Sequence, residues 1–189
     1  MRRALSSCAL AALLAAPAAH GQAISVAEVM SSLAATKASQ ASFLETKTSA
    51  LLKAPVVMRG TLAYRRPDFL EKHVVAPHDE RIVLSGSSLT LQSGSRSRTM
   101  DVSAAPLIAA LVESMRAVRA GDLAALEKHF AVQVSGQRNG WTIVLKPSRE
   151  LEGYVSSITI SGLESRINEL DVLEPNGDRA VMRIREELQ

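Results

Sequence analysis

The spacing of hydrophobic and polar positions changes period several times along the chain. Ser25-Val26-Ala27-Glu28 has the form of a capping box, in which the Ser side chain bonds the Glu28 backbone N–H and the Glu side chain reaches back. Behind it Val26, Val29, Met30 and Leu33 share one helical face, which predicts an amphipathic helix from Val26 to about Lys37. From Ser42 the period falls to two. In Val56–Tyr64, positions Val56, Met58, Leu62 and Tyr64 lie on one face and Val57, Arg59, Thr61 and Ala63 on the other, with a bend or bulge at Gly60. Arg66-Pro67 interrupts the pattern. Strands follow at Phe69–Val75, Glu80–Leu84, Ser88–Gln92 and Arg96–Val102, separated by turns at Pro77-His78-Asp79, Ser85-Gly86-Ser87 and Ser93-Gly94-Ser95.

A helix then divides the strands. Ser103 is placed to cap it, Leu107, Ile108, Leu111, Val112, Met115 and Val118 line one side, and Gly121 ends it. Asp122 caps a further short turn through Leu123, Leu126 and His129. Strands resume at Phe130–Ser135, Trp141–Lys146, Val155–Ser161, Arg166–Leu173 and Arg179–Glu186, with turns at Asn139-Gly140, Gly162-Leu163 and Asn176-Gly177. So many antiparallel strands in sequence twist and curl. The concave face must be filled, either by a packed core or by helices that roof a hollow. Periodicity alone does not separate those two outcomes.

Residues 1–23 have another character. Arg2 and Arg3 precede an apolar stretch, Ala9–Ala16, and small residues follow Pro17: the form of a secretory signal peptide, with cleavage after Ala23. Residues 24–189 then form a single domain. The one cysteine, Cys8, falls inside the leader, so the remainder has no thiol for a disulfide, a metal or a nucleophile. The formal charge is +3, but Arg2 and Arg3 belong to the leader, leaving 20 basic residues against 19 acidic ones. That near-neutral balance argues against nucleic acid as a partner. No other apolar run approaches membrane-spanning length.

Candidate chemistry is sparse. His73, His78 and His129 lack metal-pair spacing, and no Gly-x-Ser-x-Gly elbow or phosphate-binding Gly loop occurs. Glu150 and Glu152 sit in a loop as solvated carboxylates, and the alternating Arg96 and Arg98 read as a soluble sheet edge. These patterns point to no enzyme, no metal and no cofactor.

Five segments in order carry a family likeness: Ala41-Ser42-Phe43, Gly60-Thr61-Leu62, Arg66-Pro67, Pro77, and Gly86-Ser87-Ser88-Leu89, followed by the Pro106–Leu111 helix. In order and spacing the chain resembles the LolA family of periplasmic lipoprotein carriers. The resemblance implies an α+β fold: a strongly curved antiparallel sheet, an incomplete β-barrel, with helices covering its concave face. It implies a periplasmic carrier that holds acyl chains of a lipoprotein or other lipid-like cargo and ferries it toward the outer membrane. Its partners would be an inner-membrane donor complex and an outer-membrane acceptor, and the carrier itself would be a monomer. By the same likeness Met58, Leu62, Tyr64, Leu70, Leu107, Leu111 and Met115 would line the lipid site, and Arg66 would latch the lid through its backbone. The chain departs from the family where aromatics are usual, having Leu70, Lys72, Thr90 and Gln92, and it ends at Gln189 without the family's C-terminal extension. A regulatory module of the same fold, sensing lipid or binding a protein, is the alternative.

Overall fold

Residues 23–186 are described by the structure, a computed structural model. The expected leader, apart from Ala23, lies outside the described residues. Helix α1 (Val26–Ala34) begins as the sequence predicts: Ser25 Oγ accepts from the Glu28 N–H at 3.2 Å, and the Ser25 N–H donates to Glu28 Oε2 at 2.9 Å. It stops three residues short of Lys37. From Ala38 the chain pairs with a later strand, and the Lys37 carbonyl already accepts from the Arg66 N–H at 2.9 Å, so sheet pairing takes these residues before the helix can.

Six strands follow as a meander: β1 (Ala38–Thr48), β2 (Val56–Arg65), β3 (Phe69–Ala76), β4 (Glu80–Ser85), β5 (Ser88–Ser93) and β6 (Arg96–Asp101). Val102, expected to close the last of these, instead opens a 3-10 turn, Val102–Ala104, and is buried with Leu84 and Val112. Ser103 does not cap the next helix. Its N–H and Oγ both donate to Asp101 Oδ1, at 2.9 and 2.7 Å, which fixes the turn. Helix α2 (Pro106–Ala120) instead starts on Pro106, whose ring presets φ and whose missing N–H would have had no partner in the first turn. Gly121 ends α2 with φ 69°, and a Cβ there would lie 2.1 Å from the Met30 carbonyl oxygen, so α1 and α2 touch at this point. Asp122 caps α3 (Leu123–Glu127) by accepting from the Ala125 N–H at 3.0 Å.

The second meander is β7 (Phe130–Gln137), β8 (Gly140–Pro147), β9 (Ser157–Leu163), β10 (Arg166–Leu173) and β11 (Arg179–Glu186). Val155, expected in a strand, is buried in the turn that precedes β9. The expected turn at Gly162-Leu163 falls at Glu164-Ser165, with Glu164 at φ 52°. Gly162 stays in β9, paired with Trp141 of β8 and Ile167 of β10, and a Cβ there would sit 2.3 Å from the indole.

All these strands form one antiparallel, open sheet in the order β6-β5-β4-β3-β2-β1-β11-β10-β9-β8-β7. The first and last strands therefore meet at its centre. The main core lies over the second meander, where Val29, Met30 and Leu33 of α1, Ala117 and Val118 of α2 and Leu126 of α3 pack on Trp141, Ile143, Leu145 and Ile160. Smaller clusters lie under the sheet centre (Phe43, Val74, Met182) and beside β4 (Leu84, Val102, Val112). Arg96 and Arg98 are exposed on the edge strand β6, and Glu150 and Glu152 are exposed in their turn, as expected.

Candidate functional site

Cross-strand register gives the composition of the inner wall. Antiparallel partners share a face, so Phe43 of β1 stands beside Gly60 of β2 and Ile184 of β11, and Gly60 beside Val74 of β3. One step along, Glu45 stands between Met58 and Met182, and Met182 beside Leu170. On the other side Lys72 stands between Leu62 and Ile82, and Leu70 between Tyr64 and Leu84. Met58, Leu62, Leu170 and Ile184 are only half-buried, so the aliphatic wall at the sheet centre is incompletely covered.

Helix α2 roofs the sheet: Arg119 on it touches Ser39 of β1, Tyr64 of β2 and Glu186 of β11, and its close backbone neighbours are α1, α3 and the 3-10 turn. Two stripes of the helix are packed. Leu107 and Leu111 join the main core, while Ile108 and Val112 join Leu84 and Val102. Helical geometry puts Met115 between the stripes, four residues after Leu111 and three after Val112, on the side away from the polar Glu113 and Arg116. Met115 is nevertheless 57% exposed. An apolar side chain flanked by packed neighbours yet open itself leaves α2 incompletely packed at this point.

The seven residues expected to line a lipid site are thus not gathered in one place. Met58 and Leu62 belong to the central cluster, Leu70 to the β4 cluster and Leu107 and Leu111 to the main core, while Met115 is exposed. Tyr64 is buried, and its hydroxyl donates to the Arg119 carbonyl at 3.4 Å. Two surface cavities are small and polar, of about 140 Å³ (His73, Asp79, Arg81, Gln92, Gly94) and about 240 Å³ (Ser87, Ser88, Thr99, Met100, Asp101). Both fall below the usual ~300–1,000 Å³ of ligand pockets, and neither has an acyl-binding wall.

Arginines fasten the roof at its C-terminal end. Arg66 Nη2 donates to the Ala34 carbonyl at 2.6 Å and the Ala120 carbonyl at 3.0 Å, joining the last turns of α1 and α2, where the helix dipoles favour a cation. Arg119 Nη2 donates to Ser39 Oγ at 2.7 Å, Nη1 lies 3.4 Å from Glu186 Oε1, and the guanidinium stacks 4.8 Å from the Tyr64 ring centre. Arg116 donates to the Asp68 carbonyl at 3.2 Å and to the Gly86 carbonyl, reaching two strand turns. On the outer side Glu113 accepts from Lys128 Nζ at 2.8 Å and pairs with His129 Nε2 at 3.2 Å. Those bonds, Lys128's first, hold its carboxyl below the usual glutamate range.

Sequence reasoning missed Arg116 and Arg119, since basic residues late in an amphipathic helix read as a solvated face. Glu45 was also missed, although Ala41, Phe43 and Glu45 share inward parity on β1 and a carboxylate in that series is a visible anomaly. Among the described residues no group of His, Cys, Asp and Glu converges to hold a metal, and no helix is long and apolar enough to cross a membrane.

The site is thus an open antiparallel sheet with an aliphatic inner wall, roofed by a helix held through arginine-to-carbonyl bonds. The profile of the family described as "Outer membrane lipoprotein carrier protein LolA-like" matches residues 18–182. The chain belongs to that family, one of non-enzymatic carriers of lipid and lipoprotein. Among solved structures it is similar to a LolA superfamily protein from Nitrosomonas europaea, at 11% identity and TM-score 0.48, over 88% of this chain and 94% of that one. It is also similar to a DUF1329 family protein from Desulfovibrio piger, at 8% identity and TM-score 0.44, over 85% and 88% of the two chains. No curated protein matches in sequence.

Proposed function

We propose that the protein is a periplasmic carrier that takes the acyl chain of a lipoprotein or other lipid-like cargo between α2 and the central strands and ferries it toward the outer membrane. The single observation that carries this reading is the apolar surface left open on α2 and at the sheet centre: Met115 is exposed, and Met58, Leu62, Leu170 and Ile184 are only half-buried. An exposed acyl chain is costly: each methylene contributes about 0.8 kcal/mol, so a ~16-carbon chain in water carries on the order of 13 kcal/mol. A carrier must offset most of that and still let go. Aliphatic and Met side chains suit a mobile chain, because they adapt their shape at little cost.

In this reading residues 1–23 are the export signal and residues 24–189 the single carrier domain, working as a monomer between an inner-membrane donor and an outer-membrane acceptor. Arg66 is the latch of the roof, and Arg116 and Arg119 are its further fastenings. Cargo enters by lifting the helix off bonds that lie mostly at its C-terminal end, so closure competes with filling. Mass spectrometry of organic extracts from natively purified protein tests the proposal. An acylated species at near-equal molar amount is the expected result. A lipid-free protein that also fails to bind a fluorescent fatty-acid probe would overturn it.

A further inference from the structure

The central wall contains a charged pair that an aliphatic core has no need of. Glu45 is 8% exposed, between Met58 and Met182, and its carboxylate bonds the Lys72 ammonium. Lys72 stands two strands away. On the register, the line between them crosses β2 at Gly60, where the wall has no side chain, and the ammonium lies 5.1 Å from the centre of the Phe43 ring. Burying such a pair among Met, Leu and Phe gains little stability, because desolvation cancels most of the attraction. The Lys72 side chain keeps 25% of its surface open, against 10% for Glu45. An ammonium has three donors, and among the described residues Glu45 is the hydrogen-bond partner of Lys72. Donors thus remain for a ligand that reaches the open part of the Lys72 side chain.

The charge balance narrows what that is. The pair is neutral as a unit: an anionic head beside Lys72 would crowd the Glu45 carboxylate, and a cationic one would be repelled by the ammonium. A neutral acceptor fits both. We propose that Lys72, held in place by Glu45 and the Phe43 ring, donates to the ester or amide carbonyl at the head of an acyl chain lying along the Met58–Leu62–Ile184 wall. The site then reads where the chain begins, and distinguishes acyl esters and amides from plain alkyl chains and ethers. This inference rests on the carrier reading above and adds the chemical class of its ligand.

The test uses two lipids that differ only in that carbonyl, palmitoyl lysophosphatidylcholine and its hexadecyl ether analogue, below their micellar concentrations. Each displaces N-phenylnaphthylamine, a carbonyl-free fluorescent probe, from the purified chain. A hydrogen bond from a charged donor predicts displacement by the ester at about tenfold lower concentration than the ether. Glu45→Gln retains the preference, because the amide oxygen can still accept from Lys72 and hold it in place. The Glu45→Gln/Lys72→Met double variant, which leaves no unpaired buried charge, loses the preference for the ester. Equal affinities for the two lipids in the unaltered protein, or a preference that survives in the double variant, overturns the assignment to Lys72. Failure of both lipids and of the probe to bind the unaltered protein overturns the carrier reading itself.

Discussion

Replacing Arg66 by Leu removes one side chain and two bonds. The guanidinium donates to the terminal carbonyls of α1 and α2 at 2.6 and 3.0 Å, and both bonds are solvent-exposed. At an exposed site each is worth about 1 kcal/mol, below the range for buried charged bonds, and water can satisfy both carbonyls once the arginine has gone. Only the Ala120 bond is broken when α2 lifts, so about 1 kcal/mol is lost from the closed arrangement, and the open population rises about fivefold. Because bound cargo competes with closure, apparent affinity for an acyl probe rises by up to the same factor, and release slows instead of binding failing. Hydrogen exchange measured by mass spectrometry over 106–120 reports the opening, and transfer of a fluorescent fatty acid to vesicles reports release. Faster exchange with slower release is the expected pair. Unchanged exchange in α2 together with unchanged release would refute a latching role for Arg66.

Other perturbations follow from the same contacts. Arg119→Met strips the bonds to Ser39 and Glu186, whose side chains are largely covered; urea denaturation should show a loss of about 3 kcal/mol, and a loss under about 1 kcal/mol would mean that the pair is effectively solvated. In Gly60→Ala the new Cβ would lie 1.8 Å from the His73 carbonyl oxygen and 2.9 Å from the Val74 Cα, both backbone atoms, so β3 must shift. The expected cost is about 3 kcal/mol, read as a melting temperature lower by about 10 °C, and an unchanged melt would rule out the close approach of β2 and β3. The Glu113 carboxyl is held below its ordinary value of 4.5 by bonds from Lys128 and His129, so its contribution to stability is present above that value and disappears as pH falls through the lowered one. Glu113→Gln should flatten the acid limb of a stability-versus-pH curve below about pH 4.5, and an identical limb in the variant would show that the bonds carry no linkage.

The periodic parts of the chain were legible where one face of an element is more buried than the other. Met58, Leu62 and Tyr64 alternate on β2 as expected, and the capping box at Ser25 and Glu28 forms as written. What failed was local competition. The helix stopped short of Lys37, whose carbonyl bonds Arg66 instead, Ser103 went to Asp101 instead of to α2, and Gly162 paired with Trp141 and Ile167, which put the β9–β10 turn beyond it. Such choices depend on partners far away in sequence. The candidate site was half legible: inward parity identified Met58 and Leu62, but parity cannot say which cluster each joins, and it placed no tie on Arg116 or Arg119. Glu45 and Lys72 are 27 positions apart, and only the register of β1, β2 and β3 brings them onto one wall.

The meeting of β1 with β11 has a consequence for how the molecule is made. Each meander can zip up from neighbouring segments, since every other strand pair joins consecutive stretches of chain. The seam between β1 and β11 alone joins the two ends, and closing so long a loop is slow. Until the final strand is delivered, β1 presents an unpaired edge with Phe43 on its inner side, a sticky surface in the half-made molecule. A ribosome or an export channel that releases the chain from its N-terminus onward therefore leaves this seam for last, and a protease that clips β11 would divide the molecule at its middle instead of trimming its rim.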